Sequence, residues 1–179
     1  MEKPDAYPVK YVDPVLLPDG TLVQLRPIHP VDGTHAEEFR EKLSLQSIYD
    51  RFLGYIPKIS QPLIDRLTRI DYTREMALVA EVPLKGIEKE VIAVARIAPD
   101  ESKEVEFAII IADAWQGKGL GSIMTQRMIA IARDMGFEKM YALVFSHNQN
   151  MLDILEKQLF TIRPEDERTH RAILLLNPA

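Results

Sequence analysis

Hydrophobic and polar residues follow two periods along this chain, and the two periods separate strands from helices. Alternation of apolar and polar residues, or a short and almost wholly apolar run, predicts a strand. Polar segments at 84–90 and 100–103 are short enough to join three of these strands into an antiparallel meander. The predicted strands lie at 21–28, 75–82, 91–99, 104–111, 139–145 and 171–176.

Apolar residues spaced three and four apart predict the helices between these strands. Ser44 and Ser60 are expected to cap two of them, and Pro62 suits the first turn after the second cap. Gly136 is expected to end the longest helix. The predicted helices begin near Thr34 and cover 45–53, 62–70, about 120–135 and 150–159.

The chain of 179 residues suits one domain, which we place at 18–179. Residues 1–17 contain several prolines and predict an extended arm that either packs on the domain or hangs free. An antiparallel meander of three strands flanked by helices indicates the α+β class.

Composition excludes several functions. The chain has no cysteine, which excludes disulfides, thiolate metal sites and a cysteine nucleophile. Its four histidines show no metal-ligand spacing, so no metal is expected. A net charge of −5 without a basic block argues against a nucleic-acid partner. With no apolar run long enough for a membrane helix and no apolar signal core, we expect a cytoplasmic protein without a membrane partner.

A glycine-rich loop between strand 104–111 and the longest helix is the main candidate for ligand binding. Gly117, Gly119 and Gly121 let a backbone approach a ligand closely, and the free N–H groups of a helix N-terminus bind anions such as phosphates. The dinucleotide fingerprint fails, because Met124 or Ser122 stands where its third glycine belongs, and no GK[ST] follows for a Walker loop. A turn that serves backbone geometry alone is the alternative.

The segment "QGKGLG" at 116–121 matches Q/R-x-x-G-x-G/A and resembles the acyl-CoA pyrophosphate loop of the GNAT superfamily of N-acetyltransferases. The order of predicted elements resembles that family over about 20–176. The segments "DGTLVQLRPIHPVD", "SLQSIYDRFLG" and "RLTRIDYTREMALVA" are similar to bacterial protein lysine acetyltransferases, which modify acyl-CoA ligases such as acetyl-CoA synthetase. The resemblance implies the GNAT fold, a mixed twisted sheet of about six to seven strands with about four helices.

The resemblance also implies acetyl-CoA as the co-substrate and places its binding site. In the family the strand before the glycine loop separates from the next strand, and its freed backbone groups bind the pantetheine arm and polarise the thioester carbonyl. The cofactor-binding residues implied in this way are Ile109, Ile110, Ile111, Gln116, Gly117, Lys118, Gly119, Leu120, Gly121, Ser122 and Asn148. A helix cap is the alternative role for Asn148.

Glu106 is the candidate general base. An amine with a pKa of roughly 10.4 is a cation at neutral pH and must lose a proton before it attacks a thioester. Alternation places Glu104 and Glu106 on one face of the strand, and the family match places its strand glutamate at Glu106. We expect the apolar strand to desolvate this carboxylate and raise its pKa. For Glu104 we favour the alternative, a solvated strand face.

One departure from the family concerns the residue that protonates the leaving thiolate. Many relatives carry a tyrosine and a glycine where this chain has Leu155 and Leu159. A tyrosine acid is therefore excluded at this position. The thiolate could leave without an acid, or Ser146, His147 or water could help. The leading hypothesis is transfer of acetyl to a lysine of a protein such as an acyl-CoA synthetase. Acetylation of a small amine and a non-catalytic acyl-CoA sensor are the alternatives, and the oligomeric state is open.

Overall fold

A mixed sheet of eight strands runs through the computed structural model, which describes residues 7–56, 58–84, 89–100 and 104–177. The strands in chain order are β1 (Asp13–Leu16), β2 (Leu22–Pro27), β3 (Met76–Pro83), β4 (Lys89–Pro99), β5 (Glu104–Ile111), β6 (Lys139–Phe145), β7 (Thr161–Pro164) and β8 (Thr169–Leu175). Their order across the sheet is β1-β2-β3-β4-β5-β6-β8-β7. All neighbours are antiparallel except β5 and β6, which are parallel.

Five α-helices in the described residues cover the sheet. They are α1 (Ala36–Arg40), α2 (Leu45–Phe52), α3 (Gln61–Thr68), α4 (Leu120–Asp134) and α5 (Gln149–Lys157). Three short 3₁₀ turns lie at Val9–Tyr11, Pro30–His35 and Asp113–Trp115. The predicted helix near Thr34 is therefore divided into a 3₁₀ turn and the short α1.

The two faces of β5 pack against different helices, because side chains alternate along a strand. Val105 and Phe107 are buried on the face that α4 covers. On the opposite face Ile110 lies in the same layer as Val94 and faces residues of α1, α2 and α3, including Phe52. The alternation predicted for this strand is confirmed.

The described part of the N-terminal arm packs on the domain, which was one of the two alternatives. Tyr7 Oη donates a hydrogen bond to the Pro27 carbonyl at 2.8 Å, and β1 pairs with β2 so that Asp13 lies opposite Leu25. The side chains of Val15 and Leu17, in and just after β1, are buried. Residues 13–16 thus form an edge strand of the sheet.

The sequence patterns located six of the eight strands and missed β1 and β7. Both missed strands have four residues and lie at the edges of the sheet, where one side of a strand meets solvent. Only Val15 in β1 and no residue of β7 is buried, so neither segment shows the apolar alternation of a covered strand. Segment 163–171, which we expected to be a solvated connection, contains the end of β7 and the start of β8. Parts of the expected connections 84–90 and 100–103 lie outside the described residues.

The ends of the helices follow the expected chemistry. Ser44 Oγ accepts the N–H of Ser47 at 3.1 Å and caps α2, and Ser60 occupies the N-cap position of α3. Gly136, at φ +80°, follows α4 in the left-handed region, and its N–H donates to the Arg133 carbonyl. The N–H of Phe137 donates to the Ala132 carbonyl, which completes a Schellman motif.

Candidate active site

The parallel strands β5 and β6 separate and form a fork. Their pairing covers three residues of β5 and ends where Glu106 lies opposite Tyr141. On its other side β5 stays paired with β4 as far as Ile111. The separation that the family resemblance implied for this strand is therefore present in the structure.

Alternation in an antiparallel ladder identifies the backbone groups that face the fork. The N–H of Ala112 donates to the Ile92 carbonyl at 2.8 Å, so Ala112 directs its backbone groups toward β4. Every second residue before it, including Ile110, does the same. Ile109 and Ile111, with Phe107, direct their N–H and C=O groups toward the fork, which makes them the better candidates for pairing with an extended ligand.

A cavity of about 870 Å³ occupies the fork and extends from Glu106 to the glycine loop. This volume lies at the upper end of the range found for small-molecule sites, which suits a long cofactor. The cavity brings together most of the residues that the sequence predicted for the site. Those that line it are Glu106, Ile109, Ile110, Ile111, Gln116, Gly117, Gly119, Gly121, Ser122 and Asn148.

The glycine loop presents backbone donors to one end of the cavity. The first hydrogen bond inside α4 runs from the Ile123 N–H to the Gly119 carbonyl, so the N–H groups of residues 120–122 precede the helical ladder. Gly117 and Gly119 have φ of +72° and +87°, a left-handed conformation that favours glycine. Leu120 is fully buried, so only its backbone can meet a ligand. This arrangement can bind a pyrophosphate.

Gly121 is needed for close packing behind the loop. A Cβ built on this residue would lie 2.9 Å from Ile154 Cδ1 of α5 and 3.3 Å from Ile111 Cδ1 of β5. The missing side chain thus lets α4 approach both neighbours. Lys118 extends from the loop, and its ammonium lies 5.9 Å from the centre of the Trp115 ring.

Gln116 fixes the loop to the end of β5. Its side-chain amide donates to the Ile111 carbonyl at 3.0 Å and to Ser47 Oγ at 3.1 Å. Ser47 in turn donates to Asp113 Oδ1 at 2.8 Å, and the Ser44 N–H donates to Asp113 Oδ2 at 3.2 Å. Partial burial raises the pKa of Asp113, but these hydrogen bonds outweigh it, and the net pKa lies below the ordinary value. The side chain of Gln116 therefore holds α2 and the loop together.

A second set of contacts joins α2 to the end of β6, across the fork. Asp50 Oδ1 lies 2.7 Å from His147 Nε2, and Gln46 Nε2 donates to the same Asp50 oxygen at 2.8 Å. The ring of Phe145 stacks between His147 and Tyr49, with ring centres 5.2 and 5.0 Å apart. Helix α2 thus covers one side of the cavity.

Sequence reasoning did not assign Ser47, Asp50 or Asp113 to the site. The polar residues of α2 lie three and four positions apart, which would place them on one helical face. This spacing is visible in the sequence, but nothing in the sequence shows that this face of α2 lies against the fork.

Glu106 lies at the closed end of the fork, and its side chain is exposed. We expected a desolvated carboxylate at this position, and the structure shows a solvated one. Arg51 of α2 lines the same cavity, and its charge interacts with Glu106. Burial lowers the pKa of Arg51 to about 10, so it remains a cation at neutral pH.

Tyr141, opposite Glu106, is buried, and burial raises its pKa. The carboxylates of Glu106, Asp100 and Glu104 raise it further. Glu104 forms an ion pair with Lys139 at 2.9 Å, as expected for a residue of a solvated strand face. The closed end of the fork therefore holds carboxylates and cations together, since Lys139 pairs with Glu104, Arg51 interacts with Glu106, and the Arg171 guanidinium lies over the Tyr141 ring.

The remaining sequence predictions near the cavity concern α5 and the residues just before it. Asn148 Oδ1 accepts the Met151 N–H at 3.2 Å, so the residue caps α5 while it also lines the cavity. Leu155, at the position where many relatives have tyrosine, is fully buried. Ser146 Oγ lies 3.1 Å from His170 Nδ1, and His147 lines the cavity.

The residues that the structure describes offer neither a metal cluster nor a membrane-spanning helix. In that part of the chain no three histidine, aspartate or glutamate side chains come together as metal ligands. No helix there has both the length and the apolar character required to cross a membrane.

Comparison with known proteins identifies the family. A model of the acetyltransferase (GNAT) family matches residues 45–159. An acetyltransferase of Pseudomonas aeruginosa is 37% identical over 138 residues, which are 77% of this chain and 74% of that protein. The acetyltransferase Pat of Mycolicibacterium smegmatis is 27% identical over 146 residues, which are 80% of this chain but only 43% of Pat.

A solved structure extends this similarity to the fold. The crystal structure of the GNAT domain of S. lividans PAT superposes with a TM-score of 0.85 at 27% identity, and the match covers 94% of this chain and 99% of that domain. The fork, the glycine loop and the sequence matches together lead to one conclusion, that the chain belongs to the acetyltransferase (GNAT) family.

Proposed function

We propose that the protein transfers the acetyl group of acetyl-CoA to the ε-amine of a lysine in another protein, with an acyl-CoA ligase such as acetyl-CoA synthetase as the expected class of acceptor. Family membership makes the chain an acetyltransferase. Its similarity to Pat and to the GNAT domain of S. lividans PAT supports the choice of a protein acceptor.

The donor would lie in the fork. Its pyrophosphate would meet the N–H groups of residues 117–122 at the start of α4, and its pantetheine arm would run along β5. Ile109 and Ile111 present backbone groups to the fork with a spacing of two residues, as an added strand requires. In this arrangement the thioester carbonyl would accept a backbone N–H of β5 near Ile109.

Glu106 would act as the general base. The lysine amine must be neutral to attack the thioester carbonyl carbon, and Glu106 accepts the proton directly or through one water molecule. The bond between the carbonyl carbon and sulfur then breaks and CoA leaves as a thiolate. Since the tyrosine position is occupied by the buried Leu155, the thiolate would take its proton from water or from a polar group that lines the cavity, such as His147.

The observation that carries the proposal is the exposure of Glu106 at the closed end of the fork. An exposed base can be reached by a long side chain that projects from another macromolecule. An acceptor amine and the donor would then reach Glu106 from opposite directions.

Incubation of the protein with acetyl-CoA and purified acyl-CoA ligases, followed by mass spectrometry of the ligase, tests the proposal. A lysine that gains one acetyl group only when the enzyme is present supports it. The same reaction mixtures with polyamines and amino acids in place of the ligase, assayed for thiol release, form the comparison. Turnover with a small amine and none with any ligase would overturn the choice of acceptor.

A further inference from the structure

A second cavity, of about 110 Å³, lies between the sheet and helices α1–α3, on the same face of the sheet as Glu106. Most of its wall surface is apolar, and Asp32, His35, Arg40, Arg51, Thr68 and Arg96 also line it. Side chains of β3, β4 and β5 form its floor and side chains of the helices form its roof, and they include Val79, Val94, Ile110, Phe39, Phe52 and Ile64.

The floor of this cavity is less tightly covered than the other face of the sheet. Val94 and Ile110 belong to central strands and face each other in the ladder, yet both are only half-buried. Phe107 of the same strand is almost fully buried on the α4 side. Protein interiors are normally close-packed, and an apolar cavity of ~150 Å³ lined by Leu, Ile and Phe can stay dry and bind benzene. A cavity of this kind has the size and chemistry for a short aliphatic chain.

Arg51 and Ile110 separate this cavity from the fork, since both residues line both cavities. Ile110 follows Ile109, whose backbone faces the fork where the thioester is proposed to lie. The guanidinium of Arg51 lies 5.0 Å from the centre of the Phe52 ring. The aliphatic part of an arginine side chain is apolar, so a chain that passes beside Ile110 can contact it.

We propose that this second cavity, bounded by Val79, Val94 and Ile110, receives the acyl chain of donors longer than acetyl-CoA. The inference rests on the proposed position of the donor in the fork. Ile110 of the shared wall follows Ile109, near which the thioester is proposed to lie, and the apolar part of the wall suits methylene groups. Propionyl-CoA and butyryl-CoA are accordingly donors of this enzyme as well.

Affinity measurements with acetyl-, propionyl- and butyryl-CoA test the inference without any acceptor. Each methylene that enters an apolar site strengthens binding by up to about fourfold, so butyryl-CoA should bind up to about fifteenfold more tightly than acetyl-CoA. Val94 lines the second cavity but not the fork. Val94→Phe therefore fills the second cavity from its floor without changing the wall of the fork. We expect it to remove the preference for butyryl-CoA and to leave the affinity for acetyl-CoA within about twofold.

Val94→Ala is the matched variant at the same position, and it enlarges the cavity. It should strengthen the binding of hexanoyl-CoA relative to acetyl-CoA, which keeps the inference testable if the phenylalanine variant does not fold. Weaker binding of butyryl-CoA than of acetyl-CoA by the unmodified protein would overturn the inference. So would a Val94→Phe variant that folds but leaves the ratio of the two affinities unchanged, or a Val94→Ala variant in which the relative affinity for hexanoyl-CoA does not change.

The same variants separate this inference from the proposed function. If donor affinities follow the expected pattern while no ligase lysine is acylated, the cavity is supported and the proposed acceptor fails. If a ligase lysine is acetylated but the donor affinities do not change with chain length or with the Val94 substitutions, the proposed function stands and this inference fails. A Val94→Phe variant that changes only the KM for the acceptor would assign the cavity to an acceptor side chain, and would also overturn the inference.

Discussion

Glu106 and Tyr141 form the last ladder pair that joins β5 to β6. Beyond this pair the two strands separate, and the glycine loop lies at the far end of the opening. The point at which the pairing of β5 and β6 ends therefore determines both the length of the cavity and the position of the carboxylate at its closed end. A ligand that binds by its phosphates at the loop would present its opposite end to Glu106.

Glu106→Gln should retain donor binding and lose most of its turnover. Glutamine keeps the size and polarity of the side chain but cannot accept the proton, and loss of a general base typically costs roughly 10²- to 10⁴-fold in rate. Steady-state kinetics together with calorimetric measurement of acetyl-CoA affinity would check this result.

Glu104→Gln is the control for that variant. Glu104 lies on the same strand face, but it forms an ion pair with Lys139 and is not assigned to catalysis. Its replacement should change kcat by no more than a few-fold. If Glu106→Gln were as active as the unmodified enzyme, Glu106 could not be the base.

Gly119→Ala should destabilise the protein more than Gly117→Ala. Both glycines have positive φ, and an alanine in the left-handed region costs roughly 1–2 kcal/mol. A Cβ at position 119 would additionally lie 3.0 Å from Pro18 Cδ, whereas a Cβ at position 117 would meet nothing within 4 Å. Urea unfolding of the two variants measures the difference. Equal losses of unfolding free energy would show that the contact with Pro18 is unimportant.

Leu159→Gly should stabilise the protein. Leu159 has φ of +67°, is 81% exposed, and follows α5 in a Schellman motif in which the Phe160 N–H donates to the Leu155 carbonyl. Removing Cβ relieves roughly 1–2 kcal/mol of left-handed strain. The greater freedom of glycine in the unfolded chain takes back roughly 0.4–1 kcal/mol. We expect a gain of roughly 0.5–1 kcal/mol in a thermal or urea unfolding experiment.

Leu159→Ala separates backbone strain from loss of the side chain. Alanine keeps the Cβ and therefore the strain, while it removes the same exposed methyl groups. It should leave the stability almost unchanged. A gain in the alanine variant equal to that of the glycine variant would mean that exposure of the leucine side chain, and not its φ angle, limits stability.

The sequence was sufficient for the features that depend on local pattern. Helix caps at Ser44 and Gly136 and the six covered strands follow from residue type and periodicity, which act over a few residues. The glycine loop and the strand before it were found in the same way. The strand supplies Glu106 at one end of the cavity, and the glycine loop forms the other end.

Features that depend on contacts distant in sequence were not predictable. The anchor between Asp113 and Ser47 joins residues 66 positions apart, and the pair of Asp50 and His147 joins residues 97 positions apart. The exposure of Glu106 depends on how far α2 covers the fork, which no local pattern encodes. The expectation of a desolvated carboxylate was wrong because it considered only the apolar neighbours on the same strand.

Tyr72→Phe should change the response of the protein to alkaline pH. Tyr72 Oη donates to the Ile28 carbonyl at 2.5 Å, and the side chain is 7% exposed. Burial raises the pKa of Tyr72 to about 12, with smaller contributions from Tyr7 and Asp32. In the unfolded chain the phenol ionises near pH 10. The folded state therefore favours the neutral phenol.

Because the folded pKa is the higher one, the stabilising effect of Tyr72 is complete below about pH 10 and is lost as the pH rises toward 12. At pH 7 the phenylalanine variant should be less stable by roughly 1–3 kcal/mol, since the buried Ile28 carbonyl loses its donor. Above pH 10 the unmodified protein loses stability that the variant never had. The difference in unfolding free energy between the two proteins should therefore narrow. Urea midpoints of both proteins between pH 7 and pH 11 measure it. All other titrating groups are common to the two proteins, so a gap that stayed constant over this range would show that the Tyr72 phenol does not resist ionisation in the folded state.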